Sequence, residues 1–338
     1  MAQRGRARGF TLIEMLISMV IALVVMTGIV SVFVSSSDSY RRLQGLASIQ
    51  ERGRIAIQIL QNSVQVAGYN GCRKNVTINN VLNSNTDYTR SFIQPIEGFD
   101  ATTTANTWDP AMVASSFIPS PLWAGGDVLT VRGPIGSGVN LTADMANTSD
   151  TLSVPAGSPF VANDWMMAVS CAGNADVFEK TNAAGTTIAH TASGLNSSAS
   201  LGSVYEANAV VVKVAPTSFF IRDSSAIANT RALWLKEGDD AAQALIEGVD
   251  GMQVLYGVTS NTDTSANQYL TAAQVDAGAL WGRVVNVRIS LLVATLNPTV
   301  KTPESTVYSL LGENYGPFSD LRQRRVFTTT ITLRNRSF

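Results

Sequence analysis

The sequence predicts an α+β fold in which one long N-terminal helix packs on a large antiparallel β-sheet C-terminal domain. Three observations predict it. An apolar run extends from Phe10 to Val34. Apolar residues then recur every three or four positions as far as Ala67, and the first proline is Pro95. Strand-like runs follow, and those near the C-terminus alternate apolar and polar residues with a period of two.

The apolar run carries a carboxylate close to its start. Within Phe10–Val34 the one charged residue is Glu14. As a helix the run is about 37 Å long, which is enough to cross a hydrocarbon layer of about 30 Å. It is too long for the core of a secretory signal peptide, and no small-residue cleavage site follows it. We therefore expect a membrane-spanning helix, in which a carboxylate costs on the order of 3 kcal/mol at the centre and less near an edge.

The spacing predicts that the helix continues beyond the span as an amphipathic segment, residues 35–68. This half is expected to pack on the protein's own domain, and a coiled-coil dimer is the alternative. Gly68 stands where a glycine commonly ends a helix. Gly28, Gly45 and Gly53 indicate bending or close packing, because each glycine costs about 1 kcal/mol inside a helix.

The remaining chain, residues 69–338, is expected to form one β-rich head domain without an internal repeat. Gly133–Gly138 is interpreted as a turn, and Ile246–Val258 as a strand bent at Gly248 and Gly251. The other predicted strands share short apolar runs bounded by Gly, Asn, Ser or Pro: Asp127–Arg132, Thr151–Val154, Trp165–Ser170, Asp176–Lys180, Thr186–His190, Ala209–Val214, Ser218–Arg222, Ala232–Lys236, Val285–Leu292 and Val326–Leu333.

Charge and composition exclude one class of function and indicate an orientation. The formal net charge is −1 and the chain has no basic tract, so nonspecific nucleic-acid binding is not expected. Arg4, Arg6 and Arg8 precede the apolar run. The positive-inside tendency therefore predicts a cytoplasmic N-terminus and a periplasmic head.

The sequence contains no catalytic constellation. His190 is the one histidine and is expected in a loop or at the surface. There is no Gly-x-Ser-x-Gly elbow and no phosphate-binding loop motif. The acidic residues Glu237, Asp239 and Asp240 fit a solvated turn better than a calcium loop. We therefore expect no enzyme activity, no cofactor and no metal site.

Cys72 and Cys171 are the two cysteines of the chain. In an oxidising periplasm an isolated pair commonly forms a disulfide, and closing a loop of about 100 residues stabilises a fold by a few kcal/mol. The alternative is two unpaired buried thiols. Neither cysteine belongs to a CxxC motif, so the disulfide is the favoured interpretation.

The segment Gly9–Leu16, with the sequence GFTLIEML, resembles the class III leader of type IV pilins and pseudopilins. The resemblance implies that residues 1–9 are a leader and that prepilin peptidase cuts between Gly9 and Phe10. It further implies N-methylation of Phe10 and an assembly role for Glu14, whose carboxylate pairs with the methylated amine of a neighbouring subunit. The alternative is an ordinary signal anchor with a chance glutamate.

Four further blocks resemble the PilW family of minor type IV pilins, and more distantly the J-type minor pseudopilin of type II secretion. These blocks are Gly68–Cys72, Gly248–Gly257, Val284–Leu292 and Arg324–Arg336. The resemblance implies a minor pilin that joins other minor pilins, the major pilin and a tip adhesin in a complex that primes pilus assembly and supports twitching motility and adhesion. It also implies an inner-membrane location before assembly and a place at or near the pilus tip.

Two other functions remain as alternatives. One is a minor pseudopilin of a type II secretion system, whose assembly drives export. The other is a membrane-anchored periplasmic binding protein or hydrolase, which explains neither Glu14 nor the lack of a nucleophile–base pair.

Overall fold

The computed structural model of the protein describes residues 11–69, 71, 76–85, 87–102, 107–111, 118, 126–260 and 265–335. The predicted leader of residues 1–9, the predicted cleavage site at Gly9 and Phe10, and Cys72 lie outside the described residues.

One continuous helix, α1, spans Leu12–Gln65 and contains 54 residues. At the standard rise it is about 80 Å long. Val66 caps its C-terminal end, and Gly68 follows with a φ of +64°. The Gly68 amide donates to the carbonyl oxygen of Arg132 at 3.1 Å, which turns the chain into the head. The prediction of a single long helix is confirmed, and its end at Gln65 lies three residues before the predicted bound at residue 68.

The rest of the described chain is mainly β-structure with one short helix, α2 (Ala272–Ala277), and a 3₁₀ turn at Trp281–Arg283. Its strands, in chain order, are β1 (Thr77–Asn80), β2 (Ile96–Ala101), β3 (Trp108–Asp109), β4 (Val128–Asn140), β5 (Leu152–Ser153), β6 (Trp165–Val169), β7 (Asn174–Glu179), β8 (Thr187–Ile188), β9 (Val210–Asp223), β10 (Arg231–Glu237), β11 (Gln243–Glu247), β12 (Val249–Val258), β13 (Gln268–Leu270), β14 (Val284–Ala294), β15 (Tyr308–Leu310), β16 (Glu313–Tyr315) and β17 (Arg324–Thr332).

The helix packs on a four-stranded antiparallel sheet with the order β13-β12-β14-β17. Most of its contacts are to β17 and β14, with others to β11 and β4. The main core lies between the helix and this sheet. It includes Ala56, Leu60 and Val64 from α1 and Ile289 and Leu291 from β14, all with no exposed surface. The predicted alternation of the two C-terminal strands thus places one face of each against the helix.

The second sheet has nine strands and contains most of the middle of the chain. Its path is β1-β7-β6-β9-β4-β2-β3. The long strand β9 pairs with β4 along one edge, while β6 and β10 pair with successive halves of its other edge. β11 extends the sheet beyond β10, and β1 runs parallel to β7. The α+β class is therefore confirmed, and the predicted single large sheet is divided into these two main sheets and two further two-stranded sheets, β5-β8 and β15-β16.

The interpretation of Gly133–Gly138 as a turn is wrong. This segment lies inside β4, which pairs with β9 on both sides of it. The register shifts between Ile135 and Val139, so the glycines permit a bulge and a bend rather than a reversal of the chain.

The predicted bend at Gly248 is where the chain passes from one sheet to the other. β11 belongs to the nine-stranded sheet and β12 to the four-stranded sheet, and Gly248 lies between them with a φ of +81°. Its amide donates to the Arg231 carbonyl at 2.7 Å, and its carbonyl accepts from the Ala294 amide at 2.7 Å. A side chain here is strained, because the left-handed region disfavours it and a Cβ would lie 2.8 Å from the Ala294 oxygen.

Asp127 joins the two sheets. Its amide donates to the carbonyl of Met252 at 2.9 Å. Its carboxylate accepts from the amides of Val254, at 2.8 Å, and Ala101, at 2.9 Å. Burial raises the pKa of this carboxyl well above its ordinary value.

Candidate membrane and assembly site

The first half of α1 stands clear of the described part of the head. From Leu12 to Val34 its large apolar side chains are 44–80% exposed, highest at Leu12 and lowest at Val34. α1 is long and apolar enough to cross a membrane, and its most apolar window is 0% buried against the described chain. An apolar surface of this extent marks a membrane or protein interface.

The start of the helix is closed by a reciprocal capping box between Thr11 and Glu14. The Thr11 amide and hydroxyl donate to Oε2 of Glu14 at 2.9 and 3.0 Å. The Glu14 amide in turn donates to the Thr11 hydroxyl at 3.4 Å. The positive end of the helix dipole also favours a carboxylate in the first turn. Glu14 is thus held at the outer end of the apolar segment.

Two hydroxyls within the apolar segment bond to its own backbone. Ser18 donates to the carbonyl of Glu14 at 2.7 Å, and Thr27 donates to that of Leu23 at 2.8 Å. Such bonds satisfy polar groups without water, as a lipid environment requires. Glu14 is the ionisable side chain of this segment. Its bonds with Thr11 leave the carboxylate exposed, so that another subunit can contact it.

The helical glycines fall into two groups. A Cβ on Gly53 would lie 2.5 Å from the ring of Phe327, and one on Gly45 would lie 2.9 Å from Cγ2 of Thr299. Both glycines therefore allow close packing on the head, as predicted. A Cβ on Gly28 would have no atom of the described chain within 4 Å, so any close packing there involves another molecule.

Polar contacts fix the second half of α1 on the head. Nη1 of Arg52 donates to the carbonyl of Glu247 at 2.9 Å. Burial lowers the pKa of Arg52, while the charge of Glu247 raises it. At the end of the helix, Nδ2 of Asn335 donates to the carbonyls of Ala67, at 3.2 Å, and Gln65, at 3.4 Å. These bonds were not foreseen, because they join residues far apart in sequence.

Cys171 is disulfide-bonded, and Cys72 lies outside the described residues. Gly71, which precedes Cys72, lies against Val169, so closely that a Cβ on Gly71 would overlap Cγ1 of Val169. This contact brings the chain beside Cys72 to within two residues of Cys171. The Cys72–Cys171 pairing stays a prediction with this support.

His190 lies in a loop, as one part of the expectation had it, but it is buried and not at the surface. It is 2% exposed and packs beside Phe178, with ring centroids 5.3 Å apart and ring planes tilted by 60°. Nε2 lies 2.8 Å from the carbonyl oxygen of Asp150, and Nδ1 lies 3.0 Å from that of Ala199. His190 therefore joins three segments of the head. The surrounding Thr and Ala residues gave no sign of this burial.

The acidic residues near 240 lie at the turn between β10 and β11. Asp239 and Asp240 are exposed, as expected for a solvated turn. Partial burial, followed by the charge of Asp240, raises the pKa of Glu237. Within the described ranges, no three His, Cys, Asp or Glu residues are grouped so as to hold a metal ion.

Comparison with known proteins gives two family matches at opposite ends of the chain. Residues 4–30 match the prokaryotic N-terminal methylation motif. Residues 218–335 match the family described as type IV pilus-assembly protein W, PilW. The second match begins within β9 and includes the whole four-stranded sheet.

One curated relative is the pilin-like protein PilA3 of Thermus thermophilus, which is 39% identical over 61 residues. The aligned region is 18% of this chain and 26% of the relative, so the chain spans about a quarter of that protein's length. No solved structure matches. The exposed apolar helix thus lies under the methylation-motif match, and the sheet that carries the helix lies under the PilW match, so the chain is similar to type IV pilus proteins at both ends.

Proposed function

We propose that this protein co-assembles with other minor pilins and the major pilin in the complex that initiates a pilus. In this role it lies at or near the tip, supports a tip adhesin, and contributes to adhesion and twitching motility. One observation carries the proposal: the apolar half of α1 is exposed along its length, and the Glu14 carboxylate in its first turn is held in place by Thr11. Such a surface is suited to storage in lipid and then to a helical bundle.

Maturation is the first step of the proposal. Prepilin peptidase removes residues 1–9 by cutting between Gly9 and Phe10, and the new amine of Phe10 is methylated. Thr11, the residue that follows the proposed cut in sequence, caps the helix, and Glu14 lies in the first helical turn. The cap of the helix is therefore the second residue of the proposed mature chain.

Assembly is the second step, in which Glu14 pairs with the methylated amine of a neighbouring subunit. Both hydrogen bonds from Thr11 end on Oε2 of the carboxylate. An incoming amine can therefore bind Oε1 while the helix cap stays intact. Pairing also offsets the cost of a carboxylate in an apolar bundle, which is several kcal/mol when the charge has no partner.

The proposed arrangement before assembly follows from the helix. Phe10–Val34 spans the inner membrane with the N-terminus in the cytoplasm, residues 35–68 rise from it, and residues 69–338 form the periplasmic head. A disulfide between Cys72 and Cys171 suits that oxidising compartment.

The assembly step is tested with Glu14→Ala in cells that make the pilus. We expect normal leader removal, because the cleavage site is unchanged, and at least a several-fold loss of the protein from sheared pili. Ser18→Ala is the matched control, since the Ser18 hydroxyl bonds its own helix. Normal incorporation of Glu14→Ala would contradict the pairing.

The maturation step is tested by replacing Gly9 with leucine. A bulky residue in the peptidase site is expected to leave the leader attached, and immunoblotting would show a precursor-sized band. A band of mature size would show that Gly9 does not mark the cut.

Partner capture separates pilus assembly from type II secretion. The full chain, purified in detergent, is mixed with candidate minor pilins, the adhesin and secretion pseudopilins. We expect retention of minor pilins. Retention of secretion pseudopilins alone would assign the protein to export, and retention of neither would contradict the proposed assembly role.

A further inference from the structure

A loop of the head contacts α1 just beyond the apolar segment Phe10–Val34. Lys301, in the loop after β14, forms an ion pair with Asp38 of α1. Asp38 lies about 6 Å along the helix beyond Val34, the last residue of the apolar run. The Lys301 side chain is 65% exposed although it makes this pair. In a membrane-inserted subunit, the part of the head around Lys301 therefore lies at the level where the polar layer of the bilayer begins.

Two arginines lie on the same side of the helix. Arg41 and Arg42 follow Asp38 by three and four positions, the spacing that places side chains on one helical face. Both are exposed. Their Cα atoms lie about 11 Å beyond Val34, and helical side chains point back toward the N-terminus. In a membrane-inserted subunit this direction is toward the bilayer, whose polar layer is about 5–8 Å thick on each side.

We propose that Arg41, Arg42 and Lys301, here called the basic collar, bind the phosphates of anionic phospholipid headgroups while the subunit is stored in the membrane. The collar has three cations against the single carboxylate of Asp38. Guanidinium groups bind phosphate oxygens in pairs, and long basic side chains reach headgroups along their apolar stems. The inference rests on the membrane anchorage proposed above.

The collar also has a mechanical consequence. The ion pair between Asp38 and Lys301 joins the helix to the head at the level of the headgroups. Lipid bound there contacts both parts at once and holds the head close to the bilayer. These contacts must break when the subunit leaves the membrane for a fibre.

The test uses the full chain in nanodiscs that contain phosphatidylcholine alone or phosphatidylcholine mixed with phosphatidylglycerol. After gentle extraction into detergent, native mass spectrometry counts the lipids of each kind that remain bound. We expect phosphatidylglycerol to be retained several-fold over its share of the disc, and high salt to remove this preference because it screens the charges.

Two variants remove the collar to different extents. Arg41→Gln with Arg42→Gln keeps the ion pair at Asp38, and Lys301→Gln added to them removes all three cations. We expect the preference to fall several-fold in the first and to disappear in the second. Arg54→Gln is the matched control, because Arg54 is exposed on the same helix about 30 Å beyond Val34.

Each outcome decides a separate point. If the protein inserts but shows no preference for phosphatidylglycerol, lipid binding by the basic collar is contradicted, whereas membrane anchorage by α1 is not. Failure to insert into discs would overturn the anchorage, and the collar with it. An equal loss of preference in Arg54→Gln would show that total charge, and not the collar, attracts the lipid.

Discussion

At the scale of single residues, Gly53 governs how closely α1 lies on the sheet. We predict that Gly53→Ala destabilises the protein by about 1–3 kcal/mol, because the new methyl would lie 2.5 Å from the Phe327 ring. Alanine's better helix propensity recovers at most about 1 kcal/mol. Denaturant unfolding of the full chain in detergent measures the difference.

Gly28→Ala is the control for that substitution. It makes the same change in the same helix, at a position with no described atom within 4 Å. We expect unchanged or slightly higher stability of the monomer. Equal destabilisation by both variants would mean that helix bending, and not contact with Phe327, explains the glycines.

Asp320 makes stability depend on acid. Arg324 binds both its carboxylate oxygens, at 2.6 and 2.7 Å, and Nε of Arg322 binds at 2.9 Å. Partial burial raises the pKa of Asp320, but the hydrogen bonds from the two arginines outweigh it and hold the pKa far below its ordinary value. The contribution to stability is therefore complete above the ordinary pKa of about 4 and is lost as the pH falls below it.

We predict that Asp320→Asn lowers the stability at pH 7 and makes it less dependent on pH below about pH 4. Thermal unfolding at a series of pH values measures both effects. Asp239→Asn, at the exposed turn, removes the same charge without these partners and should leave the acid dependence unchanged. Parallel pH profiles for wild type and Asp320→Asn would contradict the role of the arginines.

At the scale of elements, the exposed half of α1 is expected to hold the protein in lipid. Leu23→Arg places a charge near the middle of the apolar segment, where it costs on the order of 3 kcal/mol. We predict a clear loss of the protein from the membrane fraction after carbonate washing. Ala47→Arg, on the exposed surface of the same helix beyond the apolar run, should be retained like the wild type.

The elements also show what the sequence could and could not predict. The helix and the two alternating strands at the C-terminus were predictable, because local periodicity reports one buried face directly. The bulge at Gly133–Gly138 resembled a turn, since glycines serve both purposes. The division into two sheets depends on which strands pair, and neither Gly248 nor Asp127 reveals that in a local window.

The same holds for the candidate site: features encoded by neighbouring residues were predictable, and contacts between distant segments were not. Glu14 stood out as a carboxylate in an apolar run, so its position at the helix start was predictable. The burial of His190, the contact of Arg52 with Glu247 and the ion pair of Lys301 with Asp38 were not, because each joins distant segments.

At the scale of the whole molecule, the disulfide of Cys171 is expected to support the head. Closing a loop of about 100 residues reduces the freedom of the unfolded chain and contributes a few kcal/mol. We predict that dithiothreitol lowers the melting temperature by several degrees, and that Cys171→Ser with Cys72→Ser melts at the same lower temperature. A melting temperature that is unchanged by dithiothreitol in the wild type would contradict the pairing.

The packing of α1 on the four-stranded sheet determines which parts of the head can change without disturbing the helix. The helix residues of the core group with those of the four-stranded sheet, whereas residues 141–209 contribute to a separate core cluster that contains none of them. Changes in that cluster need not disturb the seat of the helix. We therefore expect substitutions within that cluster to leave the packing of α1 on the four-stranded sheet unchanged.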